Sequence, residues 1–337
     1  MIKHLENLCN LCGTSGDENS VRDYILREIK DYAECSVTPL GNIIAFKKGK
    51  NKTDKKVMID AHMDEVGIIV SNVTQDGFLK FHTVGGINSS ALLCRKVVFG
   101  NGTIGVIGCK PIHLTKGDEA KKAPKSSDMY IDIGARDKDE ALCRVSIGDS
   151  AVFVGNFEKF SDTVFKSKAI DDRAGCAMLI DLIQNDSEYD FHASFSVQEE
   201  VGLRGAATST YTINPDFAIV LEGTTAADLN GVAEESRVCT VGNGPAVSFM
   251  DGATLYDRAL YNAAVKSGLI CQPKAAVAGG NNAGAIHKSV GGVRTVAVSV
   301  PCRYIHSSSS IADEKDIENG IKLAKYMLNY ICSGKAQ

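Results

Sequence analysis

A chain of 337 residues has room for one large domain or two ordinary ones. Hydrophobic residues at 44% and charged residues at 23% exclude a disordered composition. A net charge of −4, with no basic arm or stripe, argues against nucleic acid as a partner. Eleven cysteines without framework spacing suit reduced thiols in a cytoplasm better than disulfides. The opening MIKHLENLCNLCGTSGDEN lacks an apolar core long enough for a signal peptide, and no segment approaches the ~20 apolar residues of a membrane helix. A cytoplasmic chain with no membrane role is expected. The lone C-x-x-C of Cys9 and Cys12 has no second pair and reads as packing rather than metal or redox chemistry.

Asp17 is the predicted N-cap of a helix in which Val21, Ile25, Ile29 and Tyr32 recur at near-helical spacing. A basic loop, KKGKNKTDKK, leads into VMIDAHMDEVG, a short apolar strand with a polar end. Between residues 66 and 164 the pattern changes. GIIVSNV, FLKFHTV, KVVFG, GTIGVIG and AVFVGNF alternate with glycines and small polar turns, and DKDEALCRV alone suggests a helix, so a small barrel or sandwich is predicted. After residue 165 helix and strand alternate. DDRAGCAMLIDLIQN and ATLYDRALYNAAVKSG read as helices, HASFSVQ, DFAIVLE and VRTVAVSV as strands, and EKDIENGIKLAKYMLNYI as a closing amphipathic helix. The simplest organisation is an α/β domain with helices on both faces of its sheet, built from residues 1–65 and 165–337 and interrupted by an all-β insertion at 66–164.

Several apolar strands of the α/β part end in residues that bind metals or move protons. VMIDAHMD ends in His62 and Asp64, FSVQEE in Glu199 and Glu200, FAIVLE in Glu222, and VAVSVPCRYIH in His306, while KAIDDRAG puts Asp171 just before a helix. In open α/β sheets, ligands bind in the crevice beyond the carboxyl ends of the strands. Taken singly, each residue has a plainer reading: a satisfied surface histidine, an exposed carboxylate at Glu222, a helix N-cap at Asp171. His82, His113 and His192 keep that plainer reading. Two adjacent glutamates after an apolar run, with no lysine near in sequence, are harder to dismiss, because like charges resist burial together. Neighbours in a strand point to opposite faces, so both glutamates can serve one site only if the chain bends, and Gly202 and the strand's end make that bend plausible. Two histidines and several carboxylates are a suitable donor set for two zinc-like ions, with a carboxylate bridging them.

AHMDEVG, KAIDDRAG, QEEVGLRGA and PCRYIHS, in this order and with the β insertion between the first two, resemble the tetrahedral aminopeptidase and glutamyl aminopeptidase family of dinuclear metallopeptidases. VGGIN, YIDIGARDKDEA, GNGPAVSFMDGA and AGGNNAGAIH extend the resemblance over nearly the whole chain. Some members of that family are labelled endoglucanase. The resemblance implies a phosphorylase/hydrolase-like metallopeptidase domain with a mixed, mostly parallel sheet and an inserted small β-barrel used for subunit contacts, from dimers to tetrahedral dodecamers. It implies two divalent ions per subunit, zinc first and cobalt or manganese as alternatives. His62 and Glu222 would hold one ion, Glu200 and His306 the other, and Asp171 would bridge them. Glu199 would be the general base and Asp64 the partner that orients His62. Glu222 stands where the family usually has an aspartate, Asn281 and Asn282 where many relatives have a threonine and an aspartate on the substrate side, and SSSS follows His306 in place of a proline and a glutamate.

The expected activity is removal of N-terminal residues from short peptides by a metal-activated water, with Glu199 moving its proton. Two alternatives stand beside it. Paired carboxylates could serve a glycoside hydrolase of endoglucanase type, although aromatic content is 7% and tryptophan is absent, which disfavours sugar stacking. A non-enzymatic assembly scaffold should have lost its metal ligands, and all five are present.

Overall fold

In the computed structural model, which describes residues 1–115, 123–277 and 279–336, the leader folds as two helices, α1 (Ile2–Asn10) and α2 (Asn19–Ile29). Residues 116–122 of the insertion, residue 278 at the head of AGGNNAGAIH, and residue 337 lie outside the described residues. Val21, Ile25 and Ile29 are buried along one side of α2, while Tyr32 falls beyond the helix and is exposed. Cys9 is buried in the same core, and all eleven cysteines are free. Asp17 is not the N-cap of α2. Glu18 holds that position, and its carboxylate turns away to accept the Gly16 and Gln198 amides, while Asp17 accepts the Ser150 hydroxyl. Donors from outside the helix outcompete the helix's own amides for both acids.

β1 (Glu34–Val37) and β2 (Ile43–Lys47) pair antiparallel, and β3 (Val57–His62) is buried along its whole length, as a strand covered on both faces must be. The chain then leaves for a closed barrel of β4 (Gly67–Val73), β5 (Leu79–Val84), β6 (Lys96–Phe99), β7 (Ile104–Gly108), β8 (Tyr130–Asp132) and β9 (Ser150–Phe153). Their order is β4-β5-β8-β7-β6-β9, and β9 closes onto β4. Alternate residues such as Ile68 and Val70, Leu79 and Phe81, Val97 and Phe99 point inward and build a core of their own. α3 (Lys138–Leu142) lies within DKDEALCRV and is capped by Asp137, which accepts the Glu140 amide. β8 carries little sequence signal because three residues are too few for alternation to register.

Beyond the barrel come β10 (Glu158–Lys159), β11 (Val164–Ser167), α4 (Ile170–Gln184), β12 (Phe191–Ser196), α5 (Arg204–Ile213) and β13 (Phe217–Thr225). β14 (Ala246–Val247), α6 (Arg258–Val265), β15 (Gln272–Pro273), α7 (Ala283–Ile286), β16 (Arg294–Cys302), β17 (Ser310–Asp313) and α8 (Glu314–Cys332) complete the chain. β10, β11 and β17 form a small three-stranded sheet. The main sheet runs β1-β2-β12-β3-β13-β16-β14-β15. Its centre, β12-β3-β13-β16, is parallel, with antiparallel steps at β1-β2, β2-β12 and β16-β14. α1, α2, α4, α6 and α8 pack one face and α5 and α7 the other. Each fully buried Ile, Leu or Val in these layers contributes ~1.5–3 kcal/mol of transfer free energy. This is the mixed sheet flanked by helices, with an inserted barrel, that the sequence implied. Because its central strands are parallel, their carboxyl ends finish along one edge, and the chemistry-bearing residues follow them there.

Candidate active site

β3 delivers His62 as its last residue, 1% exposed. Its Nδ1 lies 3.1 Å from the Asp64 carbonyl oxygen and 3.3 Å from Asp64 Oδ1. A carbonyl can only accept, so Nδ1 carries a proton, and Nε2 is the nitrogen that can present a lone pair once the ring is neutral. That nitrogen faces Asp171 Oδ1 at 3.2 Å, Glu222 Oε1 at 3.2 Å and Glu199 Oε2 at 3.9 Å.

His306 repeats the arrangement from the other side. It follows β16 in a turn where it adopts φ 58°, and the Ser307 and Ser310 hydroxyls tie that turn by donating to the Tyr304 carbonyl. Nδ1 of His306 donates to the Gly86 carbonyl at 2.8 Å, and Nε2 lies 3.4 Å from Asp171 Oδ2 and 3.3 Å from Glu200 Oε1. Asp171 therefore offers one carboxylate oxygen to each imidazole.

Asp171 is not an N-cap. Ala169 holds that position, and Asp171 and Asp172 both depart from helical angles at the start of α4. The Asp172 carboxylate, which the sequence did not single out from its neighbour, accepts the Gly175 amide at 2.8 Å and the His62 amide at 3.2 Å. Two groups can hold a metal ion among the described residues: His62, Asp171 and Glu200, and His62, Asp172 and Glu222.

The paired glutamates reach one crevice because β12 stops at Ser196 and Gln198 takes φ 57°, which interrupts strand alternation. The bend thus falls just past the strand's end, as expected, but on Gln198 ahead of the glutamates and not on Gly202 after them. Their amides converge on one carboxylate: Glu199 N donates to Asp64 Oδ1 at 2.9 Å and Glu200 N to Asp64 Oδ2 at 3.1 Å. The Ser15 hydroxyl adds a third donor to Oδ2 at 2.6 Å. Asp64 thereby fixes His62 and the QEE turn together.

Burial is the largest influence on each of these acids. It pushes Glu199 to about 7 and Glu200 to about 8, and carries Glu222 well above the carboxylate range although His62 opposes it. Burial also opposes charge on the imidazoles, but the surrounding carboxylates prevail, so His62 is held well above its ordinary value and His306 at about 9. Burial acts against Asp171 too, and the two imidazoles overcome it to hold that carboxyl well below the usual range. The cluster retains protons because it is short of positive charge. Glu200 Oε1 and Glu222 Oε2 are buried without any hydrogen-bond donor. Lone pairs converging from imidazole and carboxylate, with acceptors left over, fit a divalent cation.

Asn281 and Asn282, expected on the substrate side, are buried at 2% and 0% exposure. Asn282 Nδ2 donates to Asp60 Oδ2 of β3 and Ser196 Oγ of β12, both at 2.8 Å, and so ties those strands together, while Asn281 Nδ2 donates to the Tyr256 hydroxyl at 3.0 Å. Two further groups escaped the sequence reading. One is the Asn42 amide, whose Oδ1 accepts Val197 N at 3.0 Å ahead of the QEE turn; the other is a buried ion cluster of Glu65, Lys168 and Arg173.

The profile of the M42 glutamyl aminopeptidase family matches residues 41–323. The chain belongs to that family. It is a peptide hydrolase, and the M42 peptidases are metallopeptidases, in keeping with the donor set described above. A TET aminopeptidase from a marine sediment archaeon of the Thaumarchaeota is 32% identical, with a TM-score of 0.94 over 99% of this chain and 97% of that one. The TET1 peptidase of Pyrococcus horikoshii, which can assemble into a tetrahedron or a large octahedral shell, is 33% identical, with a TM-score of 0.83 over 97% and 98% of the two chains. A structure from Thermotoga maritima described as an endoglucanase is 34% identical, with a TM-score of 0.80 over 98% and 97%. The fold of these relatives thus covers 97–99% of this chain, and no described helix is long and apolar enough to cross a membrane.

Proposed function

We propose that this M42 peptidase is an aminopeptidase that removes N-terminal residues from short peptides with two divalent ions, zinc first and cobalt or manganese as alternatives. The observation that carries the proposal is Asp171, whose two oxygens each face the Nε2 of a different imidazole, with both rings held by a bond from Nδ1 to a carbonyl. His62 and Glu222 would hold one ion, Glu200 and His306 the other, with Asp171 between them. Glu222 is favoured over Asp172 because both Asp172 oxygens already accept amides, whereas Glu222 Oε2 has no donor. When bound, the ions supply Lewis-acid polarisation of the scissile carbonyl and a water that is nucleophilic near neutral pH.

The chain's own groups do the rest. Glu199 holds and moves the proton: its carboxylate borders the cluster, 3.9 Å from His62 Nε2, near enough to take a proton from the attacking water and pass it to the leaving amine. Asp64 positions both His62 and Glu199. A cavity of about 500 Å³ opens beside His306 between the barrel residues Gly86, Asn88 and Arg95 and the loop at Tyr304, and it gives a short peptide room to lie against the cluster.

Stripping the protein with a chelator should abolish hydrolysis of aminoacyl chromogenic substrates, and zinc or cobalt should restore it. Steady turnover in metal-free protein sinks the proposal. No observation in the site favours glycoside hydrolysis, since the candidate acids crowd two imidazoles rather than flanking a sugar-sized gap. A β-glucan assay in the presence of chelator should read zero.

We further propose cytoplasmic localisation and self-association through the 66–164 insertion, from dimers toward a tetrahedral dodecamer. Ile104 and Val106, 54% and 44% exposed on β7, give the barrel an apolar outer face. Val106→Glu should shift the sedimentation profile to smaller species, and an unchanged profile would place the contact elsewhere.

A further inference from the structure

Both peptide crossings between the main sheet and the barrel meet at one buried ion cluster. The outgoing crossing carries Glu65, just past His62 and Asp64, and the returning crossing carries Lys168, just before Asp171. Lys168 Nζ lies 2.7 and 2.9 Å from the two Glu65 oxygens, and Arg173 Nη2 lies 3.1 Å from Oε1. All three side chains are 4% exposed or less. The same cations grip the end of α1: Lys168 Nζ donates to the Leu11 carbonyl and Arg173 Nη1 to the Leu8 carbonyl, each at 2.7 Å. The Glu65 amide donates to the Gly13 carbonyl at 2.9 Å. A side chain at Gly13 has no room, because its Cβ would stand 2.5 Å from Arg173 Nη2.

No hydrogen bond or ion pair links this cluster to His62, Asp171, Glu200 or His306 among the described residues. Between them lies a cavity of about 10 Å³, lined by Glu65 and Lys168 on one side and by Asp171, Glu200 and His306 on the other. That is room for one water. Buried ion pairs are a weak source of stability, since desolvation consumes most of their attraction, and apolar replacements often do as well. What they supply is a fixed geometry. Three residues of chain reach ~10 Å at most, so a shift at the Glu65–Lys168 pair passes to His62 and Asp171 with little slack.

We propose that Glu65 and Lys168 are positioning residues that set the spacing of His62 and Asp171, and so carry the placement of the barrel into the metal-binding cluster. The inference rests on the reading of that cluster as a metal centre. Lys168→Met leaves Glu65 paired with Arg173, whereas Lys168→Arg can rebuild the clasp. The full-length wild type and both variants are stripped of metal and titrated with Co²⁺ against a chromogenic competitor, with melting of the metal-free chains followed in parallel. Lys168→Met should bind Co²⁺ about 10–100-fold more weakly, with an altered visible spectrum, and Lys168→Arg should recover most of that loss. Wild-type affinity and spectrum in folded Lys168→Met, or no recovery in folded Lys168→Arg, overturns the proposal. If Lys168→Met does not fold, Glu65→Asp takes its place: it keeps every charge but shortens the reach by one methylene, and unchanged Co²⁺ affinity there overturns the proposal equally. A wild-type chain that takes up no Co²⁺ defeats the metal reading itself, visible before any variant is compared, and this inference falls with it.

Discussion

Glu199→Gln should keep its metal complement and lose about 10²–10⁴-fold in kcat, the range that a positioned general base contributes. The substitution preserves the shape of the side chain and the backbone amide that donates to Asp64 Oδ1, so the QEE turn stays in place. What it removes is a carboxylate that borders the cluster at 3.9 Å from His62 Nε2, while Glu200 and Glu222 stand closer to an imidazole, at 3.3 and 3.2 Å. A group that stands back from the ligand nitrogens can hold a proton without being consumed as a ligand. KM should change little, because the loss is confined to the proton-transfer step. Metal content measured beside kinetics separates the roles: lost metal makes Glu199 a ligand, and retained metal with near-wild-type kcat removes it from the chemistry.

The residues at strand ends were legible because their types are out of place there. Imidazoles and carboxylates that close apolar runs must be compensated, and the parallel centre of the sheet gathers them at one edge. The central main-sheet strands were legible as apolar runs and the longer barrel strands by alternation, whereas β8, β14 and β15, of two or three residues, are too short to leave such a pattern. Other features left no local trace. The bend that turns both glutamates inward sits on Gln198, a residue with no special tolerance for positive φ, and is imposed by the amides that converge on Asp64. Asp17 has the local chemistry of a helix cap, yet its carboxylate is claimed by Ser150, 133 residues away. Asp171 and Asp172 are the same residue type side by side, and only the tertiary fold sends one to the imidazoles and the other to backbone amides. Glu65 and Lys168 lie 103 residues apart with the whole barrel between them, so no window of sequence shows them as a pair.

Glu65→Gln should destabilise the metal-free chain by about 3–5 kcal/mol, the cost of leaving a buried charge without its partner. It strands two cations at once, Lys168 Nζ and Arg173 Nη2, in a place where neither can turn to solvent, because both side chains are buried and tied to the Leu11 and Leu8 carbonyls. Against a total stability of ~5–15 kcal/mol for a typical domain, that loss moves the urea midpoint far enough to read directly. Adding Lys168→Met to Glu65→Gln should return part of the loss, since one stranded cation is gone, and the double variant should be more stable than the sum of the single effects implies. A loss below ~1 kcal/mol for Glu65→Gln, the value of an exposed pair, would mean that water reaches the cluster and that the crossings are not clasped. The two substitutions therefore pull the clasp apart in different ways. Glu65→Gln removes the anion that holds both crossings and is read in stability, whereas Lys168→Met spares that anion and is read in metal affinity. A clasp that positions the site should respond to both, and one that only cements the fold should respond to the first alone.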